Sequence, residues 1–368
     1  MVKQQSKLIN SSGGEGCIFI PELPCNKKQK TKRKKRRNKT KGTKRKTKLL
    51  FGNIPSSESS ITKIILKKSK NHKEWCLLWD KDCQSKEYQK LKQVSEVEKC
   101  FVEKKKKIPK ETDKFKLLHG DYIGITSTNY YISIFNDSVI EDFYKFRKEF
   151  YKLILDMKSL FIGLVELNRI GICHNDIKVD NVIYDDNALF YIDFGLSFNF
   201  KNSRSIIPRM KKEFNNGRIY EAYPYEYIYY PKYTEDELDR EVYDIENNEN
   251  RIDNVFSEYI HERLFNRDLS AIRLKMIQDK KSKKNNPNLK YLVEKIDVYS
   301  LGVFPLMILV EASDANIFDF NEIIELLKSK DFIPIMNLLY DMTEQDYRER
   351  ISANEAYDRY LNLIEDLF

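Results

Sequence analysis

The chain has 368 residues, 41% of them hydrophobic, which is enough for one large domain or two lobes around a sizeable core and excludes a disordered protein. Its formal charge of +9 has one source: residues 27–48 hold 15 Lys and Arg and no acid, and without them 50 basic residues face 56 acidic ones. No leader of charged then apolar residues opens the chain, and no apolar run reaches the roughly 18 residues of a spanning helix, so a soluble intracellular protein with no membrane span is expected.

Six cysteines, at 17, 25, 76, 83, 100 and 173, form no C-x-x-C pair, and only four histidines accompany them. Reduced thiols are therefore expected, with neither a disulfide framework nor a zinc site.

In chain order, residues 7–20 read as strand, glycine turn and strand. The basic segment 27–48 repels itself and has almost nothing apolar to bury, so it is expected to be a disordered insertion. Its readings are a solvated loop, a contact with a polyanion, or a nuclear-import signal. The β-branched run 59–68 predicts a third strand. Residues 85–107 carry Tyr88, Leu91, Val94 and Val97 at helical spacing. Residues 130–135, "YYISIF", predict a strand, and 142–171 a long amphipathic helix stopped by Gly171. Residues 231–290 read as an insertion with some helix, ending in a flexible 279–290, and the remainder is helical. Strands early and helices late predict an α+β fold, a small β-rich lobe over about 7–135 and a larger helical lobe over about 136–366.

The densest polar cluster is "GICHNDIKVDNVIYDDNALFYIDFGLSF", residues 171–198. Asp176, Lys178 and Asn181 have the spacing D-x-K-x-x-N, and Asp193 opens D-F-G seventeen residues after Asp176. Between them, "VIY" and "LFYID" predict a hairpin turning at "DDNA". The hairpin brings both aspartates and the asparagine to one end, as phosphoryl transfer requires. One carboxylate accepts the acceptor hydroxyl's proton, a second and an amide oxygen hold Mg²⁺, and a lysine steadies the moving charge.

These residues resemble the protein kinase superfamily, Ser/Thr type: H-N-D-I-K-V-D-N stands where that family has H-R-D-L-K-x-x-N, and D-F-G is intact. The resemblance implies a bilobal kinase domain over 7–366, using ATP and Mg²⁺ on a protein substrate. It makes Asp176 the catalytic base, Lys178 a phosphate contact, Asn181 and Asp193 Mg²⁺ ligands, and His174 structural. "INSSGGEGCIF" resembles the glycine-rich loop, with Ile9, Ser11, Gly13, Gly14, Gly16 and Ile18 at the nucleotide. "SITK" resembles V-A-I-K and makes Lys63 the phosphate-anchoring lysine, with Lys67 and Lys68 as rivals. Glu87 in "EYQKL" becomes its ion-pair partner, with Glu96 and Glu98 as alternatives. "YPYE" resembles A-P-E, ending at Glu226; "DVYSLG" starts a helix with Asp297 in a scaffold role; "RISANEA" supplies Arg350 as partner for Glu226.

Two departures stand out. Asn175 replaces the arginine that in the family often pairs with a phosphorylated activation loop. About 70 residues separate Glu226 from Asp297, a large insertion. The Lys-, Asn- and Tyr-rich chain, with "GGEGCIFIP", is similar to kinases of large cytoplasmic DNA viruses, for which cytoplasmic, nuclear or virion-associated locations all fit. The expected activity is ATP-dependent Ser/Thr phosphorylation; the alternatives are a pseudokinase scaffold and a kinase-fold phosphotransferase for small molecules.

Overall fold

Five antiparallel strands, in the order β1-β2-β3-β5-β4, make the N-terminal sheet: β1 (Lys7–Asn10), β2 (Gly16–Ile20), β3 (Lys44–Leu50), β4 (Lys81–Gln84) and β5 (Lys116–Tyr122). The computed structural model describes residues 6–10, 16–26, 44–51, 57–122, 124–137, 143–201, 223–229, 234–247, 257–282, 289–315, 317 and 319–367. They divide into two units, one of Met1–Leu66 with Leu77–Gly124, the other of Lys67–Cys76 with Ile125–Phe368. The first unit ends at Gly124, where the sequence reading placed the end of the smaller lobe at about 135.

β3 corrects the expected extent of the basic insertion. Residues 44–48 are not disordered; they lie in the central strand, hydrogen-bonded to β2 on one side and β5 on the other. Arg45, Lys46 and Lys48, whose charges would oppose folding there, each have a partner. Arg45 reaches Asp80 at 2.7 Å and Asp121 at 2.9 Å. The Lys46 ammonium stands 4.9 Å from the Trp79 ring centroid, and the Lys48 ammonium lies 3.0 Å from Glu58. Composition read the charges, but the acids that answer them lie 10 to 76 residues away. Residues 27–43 lie outside the described residues.

The predicted strand over 59–68 is a helix, α1 (Ser57–Lys68). Its β-branched residues suggested a strand, yet Glu58, Ile61, Thr62 and Ile65 are buried at the 3.6-residue period of a helix face. The helix predicted within 85–107 is two short ones, α2 (Tyr88–Lys92) and α3 (Val97–Glu103). They are separated where Ser6 N donates to Val94 O and Glu96 N to Ser6 O, so the chain leaves the helix to meet the N-terminal strand. Tyr88, Leu91, Val97 and Phe101 pack with Phe19, Leu49 and Leu117 in the core beneath the sheet. Gly16 is required by close approach, because a Cβ there would lie 2.0 Å from Leu49 O.

The cysteines also depart from expectation. Cys17–Cys100 and Cys25–Cys83 are disulfides, with Cα separations of 6.1 and 5.9 Å, while Cys76 and Cys173 are free and buried. The partners lie 83 and 58 residues apart, so sequence spacing carries no trace of the pairing.

In the C-terminal unit, the predicted strand 130–135 is helix α4 (Ser127–Asp137), which buries Tyr131 and Phe135 four residues apart. The predicted 142–171 helix is two helices meeting at Met157, α5 (Phe143–Asp156) and α6 (Lys158–Ile170). Gly171, at φ 80°, ends α6 in the left-handed conformation that glycine adopts without strain. A short strand β6 (Ile125–Thr126) joins the predicted hairpin, whose strands are β8 (Val182–Asp185) and β9 (Ala188–Tyr191). Its turn is Asp186–Asn187, both at positive φ, which suits these residue types. β7 (Ile172–Cys173) pairs with β10 (Phe198–Asn199).

Within 231–290 the described residues hold α7 (Glu235–Glu246), a π-helical turn (Ser257–Leu264) and α8 (Leu269–Ser282). Leu238, Ile245, Met276 and Ile277 pack on Tyr225 and Ile228, so this stretch shares a core with the segment before it. Residues 279–282, expected to be loop, complete α8, and α9 (Leu289–Glu294) begins before 290; residues 283–288 lie outside the described residues. Then follow α10 (Ile296–Asp314), α11 (Phe320–Leu327), α12 (Ile333–Met342) and α13 (Ala353–Leu367). Lys290–Asp314 is long and apolar enough by composition to cross a membrane, but 78% of its apolar window is buried inside the protein.

Candidate active site

The polar loop between β7 and β8 hangs from one buried carboxylate. Asp297, in the first turn of α10, accepts from His174 N at 2.6 Å and from Asn175 N at 2.9 Å. Burial raises its pKa, opposed chiefly by His174 and by the backbone donors. Fully buried, His174 packs its ring at a tilt against Tyr191 and Phe194 and donates from Nε2 to Ile192 O at 3.0 Å. Desolvation lowers its pKa, which keeps the imidazole neutral. Its place is structural, holding the loop against the residues that lead into Asp193.

Held this way, the loop gathers three of the four predicted catalytic and metal residues. Asn181 Nδ2 donates to Asp176 Oδ2 at 2.6 Å and to Asp176 O at 2.9 Å. Lys178 Nζ lies 3.7 Å from Asp176 Oδ1. The asparagine thus orients the carboxylate, and the lysine balances its charge. Asp193 is tied in through the backbone, because Ile192 N donates to Asn181 O at 3.0 Å. At φ 56° Asp193 occupies a left-handed conformation that costs a non-glycine residue energy, and its carboxylate accepts from Gly195 N at 3.2 Å. Phe194 is buried beside His174, which anchors this turn.

Asn175, also at positive φ, is fully buried. Its carbonyl accepts from Tyr223 Oη at 2.7 Å. Three residues on, Glu226 meets Arg350 at 3.0 Å, with both side chains at 0% exposure. Burial pushes the Glu226 carboxyl up to about 7 against the opposing pull of Arg350.

Lys63 and Glu87, expected to pair with each other, take other partners. Lys63 stands on helix α1 and not on a strand; it is 70% exposed and lies 4.0 Å from Asp82. Lys67 and Lys68 are in the last turn of the same helix. Glu87 precedes α2 and pairs with Lys90 at 2.5 Å and Lys114 at 3.8 Å. Glu96 accepts from Leu8 N, and Glu98 pairs with Lys92. The structure instead supplies a strand lysine and a helix glutamate that the sequence reading missed, Lys48 of β3 and Glu58 of α1. Trp79 Nε1 fixes the other Glu58 oxygen at 2.6 Å. The available signal was a β-branched run that also fits a helix, starting just after an acid; the charge run around Lys48 concealed the strand. Gly16 and Ile18 lie on β2 and Ile9 on β1, while Ser11, Gly13 and Gly14 lie outside the described residues.

No protein-family model matches the chain. Over 157 residues, 42% of its length, it is 31% identical to a protein of Dictyostelium discoideum named probable serine/threonine-protein kinase fnkB. The matched stretch spans 24% of that relative. This similarity supports a place in the kinase superfamily at a general level.

Proposed function

We propose that the chain is a Ser/Thr protein kinase that transfers the γ-phosphoryl group of ATP to protein hydroxyls. The observation that carries this reading is the Asp176–Asn181–Lys178 cluster, hung from Asp297 and joined through the backbone to a strained Asp193. Such a cluster holds a base and hard oxygen donors in fixed positions, which phosphoryl transfer needs and a packing role does not.

In this reading Asp176 accepts the proton of the incoming hydroxyl, held for that task by the Asn181 amide. Lys178 sits where it offsets charge on the transferred group. Asp193 and Asn181 offer a carboxylate and an amide oxygen, a donor set that suits Mg²⁺ better than a soft cation. Bound there, Mg²⁺ would neutralise phosphate charge. Lys48, oriented by Glu58, takes the phosphate-anchoring role that the sequence assigned to Lys63, because an anchoring lysine must be held rigidly and Lys63 is largely in solvent. The glycine-rich stretch ending at Gly16 is proposed as the nucleotide loop from its resemblance to the family pattern alone. The stretch "GGEGCIFIP" supports the narrower assignment to kinases of large cytoplasmic DNA viruses.

The test is turnover of Mg²⁺-ATP with a generic basic protein acceptor. Phosphoserine or phosphothreonine in the acceptor supports the proposal. Nucleotide binding without turnover would indicate a scaffold, and turnover only with small-molecule acceptors would indicate the other phosphotransferase class.

A further inference from the structure

Cys25, Cys83 and His119 come from three separate stretches of the N-terminal unit, and their potential ligand atoms lie within 4.8 Å of one another. His119 Nε2 faces Cys25 Sγ at 3.4 Å and Cys83 Sγ at 3.3 Å. Its Nδ1 lies 2.9 Å from Thr47 Oγ1 and 3.2 Å from the Glu22 carboxylate. Since a carboxylate only accepts, this pairing favours the tautomer with the proton on Nδ1, and the Nε2 lone pair then points at the two sulfurs. A histidine whose far nitrogen is fixed by a carboxylate is how proteins orient an imidazole toward a metal.

The two sulfurs are joined in a disulfide. It differs from Cys17–Cys100, whose residues are both 0% exposed in the core. Cys25 and Cys83 are half-buried, and Glu22 beside them is exposed, so a reductant has access to one disulfide and not to the other. The cluster is also separate from the Lys48–Glu58 pair. Thr47 and Lys48 are neighbours on β3, and successive strand residues face opposite sides of a sheet.

We propose that Cys25–Cys83 is a reversible disulfide and that its dithiol form, with His119, is a binding site for a divalent cation of the zinc class. Two sulfurs and one imidazole suit Zn²⁺ and not Mg²⁺, and solvent can fill the fourth position. Tetrahedral coordination at about 2.3 Å per sulfur places the sulfurs roughly 3.8 Å apart. With Cα atoms 5.9 Å apart, side-chain rotation reaches that spacing. The chemistry balances as follows. Two thiols of a reductant give up two electrons and two protons; the S–S bond of Cys25–Cys83 breaks, each sulfur takes one proton, and the reductant becomes its own disulfide. Zn²⁺ then displaces both protons to solvent.

In the test, the full chain is reduced with a phosphine, which takes oxygen from water to become its oxide while the protons go to the sulfurs. The phosphine is removed without air, and the protein is titrated with Co²⁺ and then Zn²⁺. The expected result is one equivalent of cobalt bound with thiolate-to-cobalt absorption in the near ultraviolet, displaced by Zn²⁺ and missing from unreduced protein. Glu22→Gln, a change at an exposed side chain, should stay folded and weaken binding about tenfold. Cys83→Ser should remove the absorption while circular dichroism shows a folded chain. Reduced wild-type protein without the absorption, or Cys83→Ser that keeps it, overturns the proposal.

Discussion

Lys48 Nζ lies 3.0 Å from Glu58 Oε2, with side-chain exposures of 9% and 1%. A buried ion pair of this kind is costly to break from one side, because the remaining charge is stranded. Lys48→Ala should therefore lower stability by about 3 kcal/mol or more, and any folded fraction should lose phosphoryl transfer by at least ~10²-fold. Lys63→Ala, at a side chain 70% exposed, should change the rate by less than about twofold. Paired denaturation and initial-rate measurements on both variants decide the assignment; the reverse ranking would restore Lys63.

On the proposed roles, Asp193→Ala should abolish transfer while the fold persists, since it removes the carboxylate proposed to hold the cation. Asp176→Asn should reduce turnover ~10²-fold or more with little change in ATP affinity, because its proposed task concerns the acceptor hydroxyl. Nucleotide titration alongside turnover separates the two effects. An Asp176→Asn protein that lost ATP binding but kept its rate would show that the role is misassigned.

Glu226 yields a pH prediction. Its carboxyl titrates at about 7 in the folded chain against 4.5 for an ordinary glutamate, the rise being due to burial. Between those values the folded state binds more protons than the unfolded state. The group's contribution to stability is thus greatest below about 4.5 and declines as pH rises through 7. In urea denaturation from pH 5 to 8, wild-type protein should lose stability more steeply than Glu226→Gln, which has no such proton to lose. Parallel profiles would mean that Arg350 holds Glu226 ionised throughout.

The segment 223–229 is fastened to the loop between β7 and β8 by Tyr223 Oη on Asn175 O, a contact that needs no phosphate. Buried Asn175 offers no guanidinium fork for one. Phosphatase-treated protein should keep most of its initial rate once the phosphatase is removed. Tyr223→Phe, which deletes a hydrogen bond of about 1 kcal/mol, should lower kcat roughly fivefold with KM for ATP unchanged. A tenfold loss on phosphatase treatment would point to a phosphate-dependent loop.

Deletion of residues 27–48 should prevent folding, because it removes Lys44–Lys48 from the centre of the sheet. A deletion confined to 28–42 leaves every described strand intact and should preserve the thermal midpoint to within a few degrees. Circular dichroism of the two deletions tests where the strand begins.

The local features of the C-terminal unit were legible from residue order. The hairpin turn at Asp186–Asn187, the stop at Gly171 and the clustering of Asp176, Lys178 and Asn181 follow from residues close in sequence, where turn chemistry and short spacing dictate geometry. Even the distant Glu226–Arg350 pair was implied by resemblance to a family pattern. The N-terminal unit was not legible in that way. Lys46 and Lys48 can lie in a strand only because Trp79 and Glu58 are folded against them, and Cys17 and Cys25 find partners 83 and 58 residues away. Residues 59–68 and 130–135 carry β-branched and aromatic side chains that suit a strand or a buried helix face. Which of the two forms depends on the surface that covers them, and that surface exists only after the chain has folded.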